Sequence, residues 1–283
     1  MKICLTGSDG YIGSLVKARF SQKHQLVCID LKGGCDIATT DNIKADYLIH
    51  LAAFISVSES YTQSEKYYRE NCAKYHQFLN GNHNEFKNVI YASSIAVYDE
   101  DGKINPKSVY GSTKLDGEYI TKRYTDNHHI LRFGNPIGLH PDIHRHVNFD
   151  KAYPNLLWTL ANCCSHNKKF QLHDDQNMTR DFYPVSWIIE AIEYLIEHEN
   201  QMNFDTSNIG SGNQSNVHKI VFSICDKYDI KYKKIPPPIG TVISPNTYDF
   251  DYSLLDKTHI DRHDFDSLEY CLQSFPNYLE LIK

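Results

Sequence analysis

Over its first ninety-odd residues the chain alternates short apolar runs with amphipathic segments, and that alternation constrains the fold more than any single residue does. It is the pattern of βαβ units on a parallel sheet, because parallel neighbours need a long crossover connection between them. The expected strands are KICL (2–5), LVCID (26–30), YLIHLAA (47–53), NVIYASS (88–94) and HILRF (129–133). Between the third and fourth, Tyr61, Tyr68, Cys72, Tyr75 and Leu79 recur at spacings of seven, four, three and four, which predicts one face of a helix. A second helix is expected from about Tyr110 to Tyr124, with Leu115, Tyr119 and Ile120 on its apolar side. Two such helices on one flank of a sheet are either ordinary cover or a dimer surface.

After Asn135-Pro136 the alternation weakens. Helical stretches are expected at about 153–166, 184–198 and 215–228, and PPPIGTVISPNTYDFDY (236–252) reads as irregular chain stiffened by proline. A length of 283 residues suits one large domain with a smaller lobe. The expected class is therefore α/β: a doubly wound parallel sheet followed by a smaller C-terminal lobe.

Charge and apolar runs narrow the partners. The formal net charge is −6 and no Lys/Arg cluster is long enough to track a phosphate backbone, which argues against nucleic acid. The longest apolar stretch, Tyr47 to Val57, is too short to span a bilayer and contains His50 and Ser56, so no membrane partner is expected. The first strand begins at once, leaving no room for a signal peptide, and a cytoplasmic location is expected. Eight cysteines contain no CxxC, and Cys163-Cys164 are adjacent, which reads as reduced, buried thiols. His140, His144 and His146 in HPDIHRH have a metal-ligand look, but no carboxylate or cysteine sits at a telling distance, and no metal is expected.

The chemistry concentrates in three places. Residues 6–14, TGSDGYIGS, carry Gly7, Gly10 and Gly13 between a strand and a helix. Glycine there permits a tight turn, backbone approach to a pyrophosphate, and close contact of helix with sheet. The helix N-terminus then offers N–H groups to phosphate charge. A plain βα turn is the other reading. Asp30 ends LVCID, seventeen residues beyond Gly13, where a carboxylate can accept from a ribose diol and would repel a 2′-phosphate, favouring NAD over NADP. A solvated strand end is its alternative. Third, Tyr110 and Lys114 in YGSTK lie four residues apart, on one helical face. A phenol of reference pKa near 10 is a poor base at neutral pH, and a neighbouring ammonium favours its phenolate. Ser94, closing the fourth strand, is placed to hold the same substrate hydroxyl. By itself such a pair is also a surface tyrosine beside a solvated lysine.

TGSDGYIG, HLAA (50–53), ASSIAVY, YGSTK, LRFGNPIG (131–138), MTRDFYPVSWIIEAI (178–192) and NIGSGNQSNV (208–217) stand in an order and spacing that resembles the extended short-chain dehydrogenase/reductase family. These are the NAD-dependent nucleotide-sugar epimerases and dehydratases, among them the UDP-glucose 4-epimerases. The resemblance covers nearly the whole chain. It implies a Rossmann-type sheet over 1–135, with segments at roughly 178–212 returning to it, and a lobe in 136–283 that binds mainly the nucleotide sugar. It also implies NAD as cofactor and a homodimer. Gly7, Gly10, Tyr11, Ile12, Gly13 and Asp30 would line the cofactor, Asp36 and Ile37 would meet the adenine, and Leu51, Ala52, Ala53 and Asn71 would flank its active-site side. Ser94, Tyr110 and Lys114 would be the catalytic trio, the last two also touching the cofactor. Ser94, Asn135, Asn155, Leu156 and Arg180 would meet the nucleotide sugar. Arginine suits phosphate because its planar fork pairs two oxygens; an ion pair of Arg180 with Asp181 or Asp175 is the alternative.

Family membership leaves the reaction open. Dehydratases of this type carry an acidic pair after the catalytic hydroxyl, where this chain has Ile95-Ala96, so dehydration is disfavoured. Asp30 favours a 4-epimerase, which returns the hydride it removes and needs no reductant supply. Three departures keep a 4-ketoreductase or 4-dehydrogenase in view. Ile55 stands where many 4-epimerases have lysine, the stretch from Tyr98 to Tyr110 is short, and 236–252 lacks the arginine that grips the second phosphate. A protein that binds NAD without turnover is the third reading, against which the complete trio speaks.

Overall fold

All five apolar runs become parallel strands: β1 (Lys2–Thr6), β2 (Gln25–Ile29), β3 (Tyr47–His50), β4 (Asn88–Ser94) and β5 (His128–Phe133). A sixth, β6 (Thr206–Ile209), pairs parallel with β5 and completes the order β6-β5-β4-β3-β1-β2. The computed structural model describes residues 1–82, 85–144, 147, 155–198, 205–236 and 250–282. The order reverses between β1 and β3, and in open α/β sheets the crevice beyond the carboxyl ends of strands at such a point receives ligands.

Alternate strand residues enter opposite layers, as a sheet covered on both faces requires. Ile3, Leu5, Ile49, Ile90 and Leu131 pack with Val16 and Phe20 of α1 (Tyr11–Phe20) and with Ile188, Ile192 and Leu195 of the helix Ser186–Glu197. Cys4, Leu48, Val89, Tyr91 and Ile130 pack on the other side with Tyr75, Phe78 and Leu79. A separate core joins Ile137, Leu157 and Leu160 to Ile220, Ile224, Cys271, Phe275 and Tyr278. It unites the helices Leu156–Ser165, Val217–Tyr228 and Ser267–Ile282. The first two match expected helical stretches; the third was not foreseen.

The helix between β3 and β4 departs from expectation. It is divided into α2 (Val57–Thr62), α3 (Ser64–Tyr68) and α4 (Lys74–Asn82), with a π-helical turn at Arg69–Ala73. The break at Gln63 and the wider turn rotate the faces relative to an unbroken helix. Tyr75 and Leu79 are buried as expected, whereas Tyr61 is 37% and Tyr68 41% exposed, and Tyr67 takes the inner place. In α5 (Val109–Tyr124) the expected apolar side is packed only in part: Ile120 rests on the core and Leu115 is half-buried. Tyr119 is 61% exposed, while Tyr110, Gly111, Lys114, Gly117 and Glu118 face inward.

Among the described residues no helix is long and apolar enough to cross a membrane, and no three His, Cys, Asp or Glu residues form a metal-holding group. His144 is buried against Tyr11, its Nε2 3.1 Å from the Tyr11 carbonyl; His146, and 237–249 of the proline-rich segment, lie outside the described residues.

Candidate active site

The glycine loop is shaped by backbone contacts that leave no room for side chains. Gly7 has φ of +71° and donates its N–H to Ile29 O at 2.8 Å; a Cβ on it would lie 2.8 Å from Ala52 N. A Cβ on Gly13 would lie 1.9 Å from Gly7 O. Gly10 caps α1 with no side-chain bond, so the first-turn peptide groups take no partner from the cap residue. These features fit a dinucleotide pyrophosphate. Tyr11 donates its phenol to Gly138 O at 2.6 Å, tying the loop to the chain that leads into the second lobe, and Ile12 packs on the sheet core.

Asp30 is anchored beside that loop. Its carboxylate accepts Asp9 N at 3.0 Å and Lys32 N at 2.9 Å, which fixes its direction and leaves lone pairs for a diol. Asp36 caps the turn Ile37–Thr39, accepts Ala38 N at 3.0 Å, and pairs with Lys74 Nζ at 2.6 Å. Burial works to raise its carboxyl, but Lys74 and the Ala38 N–H outweigh this and hold it below the usual carboxylate range. Ile37 is buried beneath it.

Leu51, Ala52 and Ala53 leave the sheet beside β1. Leu51 N donates to Thr6 O at 3.2 Å and Ala52 N to Thr6 Oγ1 at 3.4 Å. Thr6 Oγ1 meets His50 Nδ1 at 2.8 Å, and the His50 ring stacks 4.0 Å from Tyr75. Burial, then the charge of Lys114, keeps His50 neutral. Asn71 spends its amide on the protein: Oδ1 accepts Phe54 N at 2.8 Å, and Nδ2 donates to Phe54 O at 2.9 Å and Thr113 Oγ1 at 3.1 Å. It therefore joins the 51–56 loop to α5.

Ser94 ends β4 and caps the turn Ile95–Val97, accepting Ala96 N at 3.2 Å. Ser108 caps α5, so Tyr110 stands in its first turn, and the Ser94 side chain lies close enough to the Tyr110 phenol to favour its ionised form. Gly111 makes the approach possible: a Cβ there would sit 2.2 Å from Ala96 O. One turn on, Lys114 Nζ donates to Ala92 O at 2.7 Å and lies 5.2 Å over the Tyr91 ring. Burial pushes the Tyr110 phenol up to about 12, the Ser94 hydroxyl opposing. Burial pulls the Lys114 ammonium down to about 8, with Cys72 and Glu118 opposing. At neutral pH the trio thus rests as neutral phenol and charged ammonium.

A pH dependence follows. As pH rises through about 8, Lys114 loses the proton that supports a phenolate, so kcat should fall on that side; a kcat profile between pH 7 and 10 that stays flat would refute the role. Stability moves the other way. The folded value lies below the free value of 10.5, so between about 8 and 10.5 the unfolded chain binds more protons, and rising pH relieves the cost of the buried charge. Denaturation of wild type beside Lys114→Met isolates that contribution.

Among the residues expected to meet the nucleotide sugar, Asn135 donates its N–H and Nδ2 to Asp181 O at 3.2 and 3.4 Å. Asn155 is the N-cap of Leu156–Ser165; Oδ1 accepts Trp158 N at 2.9 Å and Nδ2 reaches Tyr278 OH at 3.2 Å, while Leu156 packs on the second core. Arg180 lies in a two-residue strand, Thr179–Arg180, with Nη1 on Thr179 O at 2.7 Å. Burial lowers its guanidinium and Asp175 opposes. The Asp181 carboxylate turns instead to Ser211 and Gly212, whose N–H groups donate at 3.1 and 3.0 Å.

Residues 3–210 match the profile of the family described as NAD dependent epimerase/dehydratase. The chain belongs to that family. NAD is accordingly its cofactor, and the sheet is Rossmann-type. The chain is 27% identical over 244 residues to Protein CapI of Staphylococcus aureus, covering 70% of each. It is 24% identical over 260 residues to a UDP-glucose 4-epimerase of Corynebacterium glutamicum, covering 78% of each. With a dTDP-D-glucose 4,6-dehydratase of Dictyostelium discoideum it shares 24% over 250 residues, 69% of this chain and 55% of that protein. Among solved structures, a UDP-N-acetylglucosamine 4-epimerase from Methanobrevibacter ruminantium M1, in complex with UDP-N-acetylmuramic acid, superposes with a TM-score of 0.82 at 21% identity, covering 99% and 97% of the two chains. A UDP-glucuronic acid 4-epimerase from Bacillus cereus, with UDP-glucuronic acid and NAD, gives 0.78 at 23%, covering all of both chains. At these identities the likeness establishes the fold.

Proposed function

We propose that the protein is a nucleotide-sugar 4-epimerase. The observation that carries this reading is the Ser94 side chain beside the buried Tyr110 phenol, with Lys114 one turn on and the glycine loop at the carboxyl edge of the same sheet. NAD, when bound, supplies a positively charged ring that accepts a hydride from C4 and can return it. Ser94 orients the C4 hydroxyl, and Tyr110 takes its proton while Lys114 stabilises the phenolate. The same Tyr110 proton returns to the 4-keto oxygen when the hydride comes back to the other face. Ile95 and Ala96 stand where dehydratases of this type carry an acidic pair, which disfavours elimination of water. Arg180, Asn135 and the Asn155-Leu156 helix start are assigned to the nucleotide diphosphate.

Incubation with UDP-, GDP- and dTDP-sugars and their 4-keto derivatives tests this, with sugar stereochemistry followed by NMR and NADH by absorbance. Inversion at C4 with no net NADH change is expected. Stoichiometric NADH gain or loss without an epimer would instead establish a 4-dehydrogenase or 4-ketoreductase, the reading that Ile55 favours.

The homodimer belongs to the same proposal. Tyr68 and Tyr119 are exposed on helices that pack side by side, and tyrosine is enriched at protein interfaces. Tyr68→Glu with Tyr119→Glu should convert a dimer to a monomer in sedimentation velocity; a wild-type monomer would refute the dimer, and a dimeric double variant would refute this surface.

A further inference from the structure

Beneath the trio lies a buried polar network that the proposed reaction does not use. Glu118 follows Lys114 by one helical turn, and its side chain is 3% exposed. Its carboxylate accepts Ser93 Oγ at 2.5 Å, Arg132 Nε at 2.8 Å and Arg132 Nη2 at 2.6 Å. The other Arg132 nitrogen, Nη1, donates to Tyr98 OH at 2.7 Å, and Tyr98 OH donates to Asn208 Oδ1 at 3.0 Å. The guanidinium also lies 5.0 Å over the Tyr98 ring.

Three members are close in the chain to the proposed catalytic groups, and Arg132 stands opposite Ser93 across the β4–β5 pairing. Ser93 precedes Ser94, Glu118 is four residues past Lys114, and Tyr98 closes the turn that Ser94 opens. A buried ion pair is a weak device for stability, since apolar residues of similar volume serve a fold as well or better. A bidentate fork does something apolar packing does not: it fixes both distance and angle. Two glycine contacts act at the same interface. Gly111 lets α5 meet Ala96 O, and a Cβ on Gly117 would lie 1.9 Å from Tyr91 OH. The helix is thereby seated against the β4 end at three points.

We propose that Ser93, Glu118, Arg132 and Tyr98 are positioning residues that lock α5 to the end of β4, so that Ser94 and Tyr110 converge on one substrate hydroxyl. This rests on the trio being the reaction centre. The test is the double variant Glu118→Leu/Arg132→Met, which removes both charges together and keeps an apolar fill. Expected are a folded protein with near-wild-type NAD affinity, a crystal structure in which Ser94 Oγ and Tyr110 Oη stand farther apart than in the wild-type crystal, and kcat lowered about 100-fold with KM within about threefold. An unmoved trio with unchanged kcat overturns the proposal. Should that variant not fold, Tyr98→Phe and Ser93→Ala decide: about tenfold losses in kcat support it, and full activity in both overturns it. If wild type turns over no nucleotide sugar, the epimerase reading falls, and Ser94–Tyr110 geometry in the variant crystals still decides the positioning role.

Discussion

Replacing Tyr110 by phenylalanine should lower kcat about 1,000-fold while leaving NAD affinity within about threefold. The ring of Tyr110 is buried, so phenylalanine fills the same space and loses only the hydroxyl. Folding should survive, because no cavity opens around the ring and Ser94 Oγ still accepts from Ala96 N. In the proposed reaction the proton of the C4 hydroxyl then has no acceptor, so the loss falls on catalysis. Burial alone drives the phenol up to about 12, which makes Lys114 and the bound cofactor's charge necessary for its ionisation at neutral pH. Steady-state kinetics with NAD titration and a thermal melt separate the outcomes. Retained turnover would remove Tyr110 from proton transfer, and a collapsed melt would make it a packing residue.

The strand alternation and the three motifs were legible because each is local. Apolar runs a few residues long find the sheet, and YGSTK places two groups on one face without knowledge of anything distant. NVIYASS became β4 with its bounds unchanged. The run LVCID lost its aspartate from the strand because the Asp30 carboxylate captures Lys32 N and Asp9 N, which depends on a loop 21 residues away. The single helical face drawn through Tyr61 and Tyr68 failed because a π turn leaves no reliable mark in the apolar spacing. Glu118 was within reach, since Tyr110, Lys114 and Glu118 continue one four-residue series. Its partner Arg132 sits on another strand, and only the fold brings them together. Asn155 likewise carried a readable signal, a polar cap before the apolar LLW, which the structure realises as an N-cap bond to Trp158 N.

Gly13→Ala should abolish measurable NAD binding and cost about 2–3 kcal/mol of stability, because one methyl group enters space already held by backbone. The added Cβ would stand 1.9 Å from Gly7 O and 2.8 Å from Gly7 C. Neither atom belongs to a side chain that can swing away. Gly7 itself is held by its bond to Ile29 O and by contact with Ala52, so the loop has no free side toward which to retreat. Relief then requires α1 to move off the sheet, which carries the first-turn N–H groups away from the pyrophosphate they are meant to face. Gly33→Ala is the matched control: a Cβ there meets nothing within 4 Å, and its stability and NAD titration should follow wild type. Differential scanning calorimetry and an NAD fluorescence titration on the pair decide the matter. If the Gly13 variant binds NAD as tightly as the Gly33 variant, the loop is a tight turn and not the cofactor cradle, and the proposed reaction loses its hydride acceptor at this site.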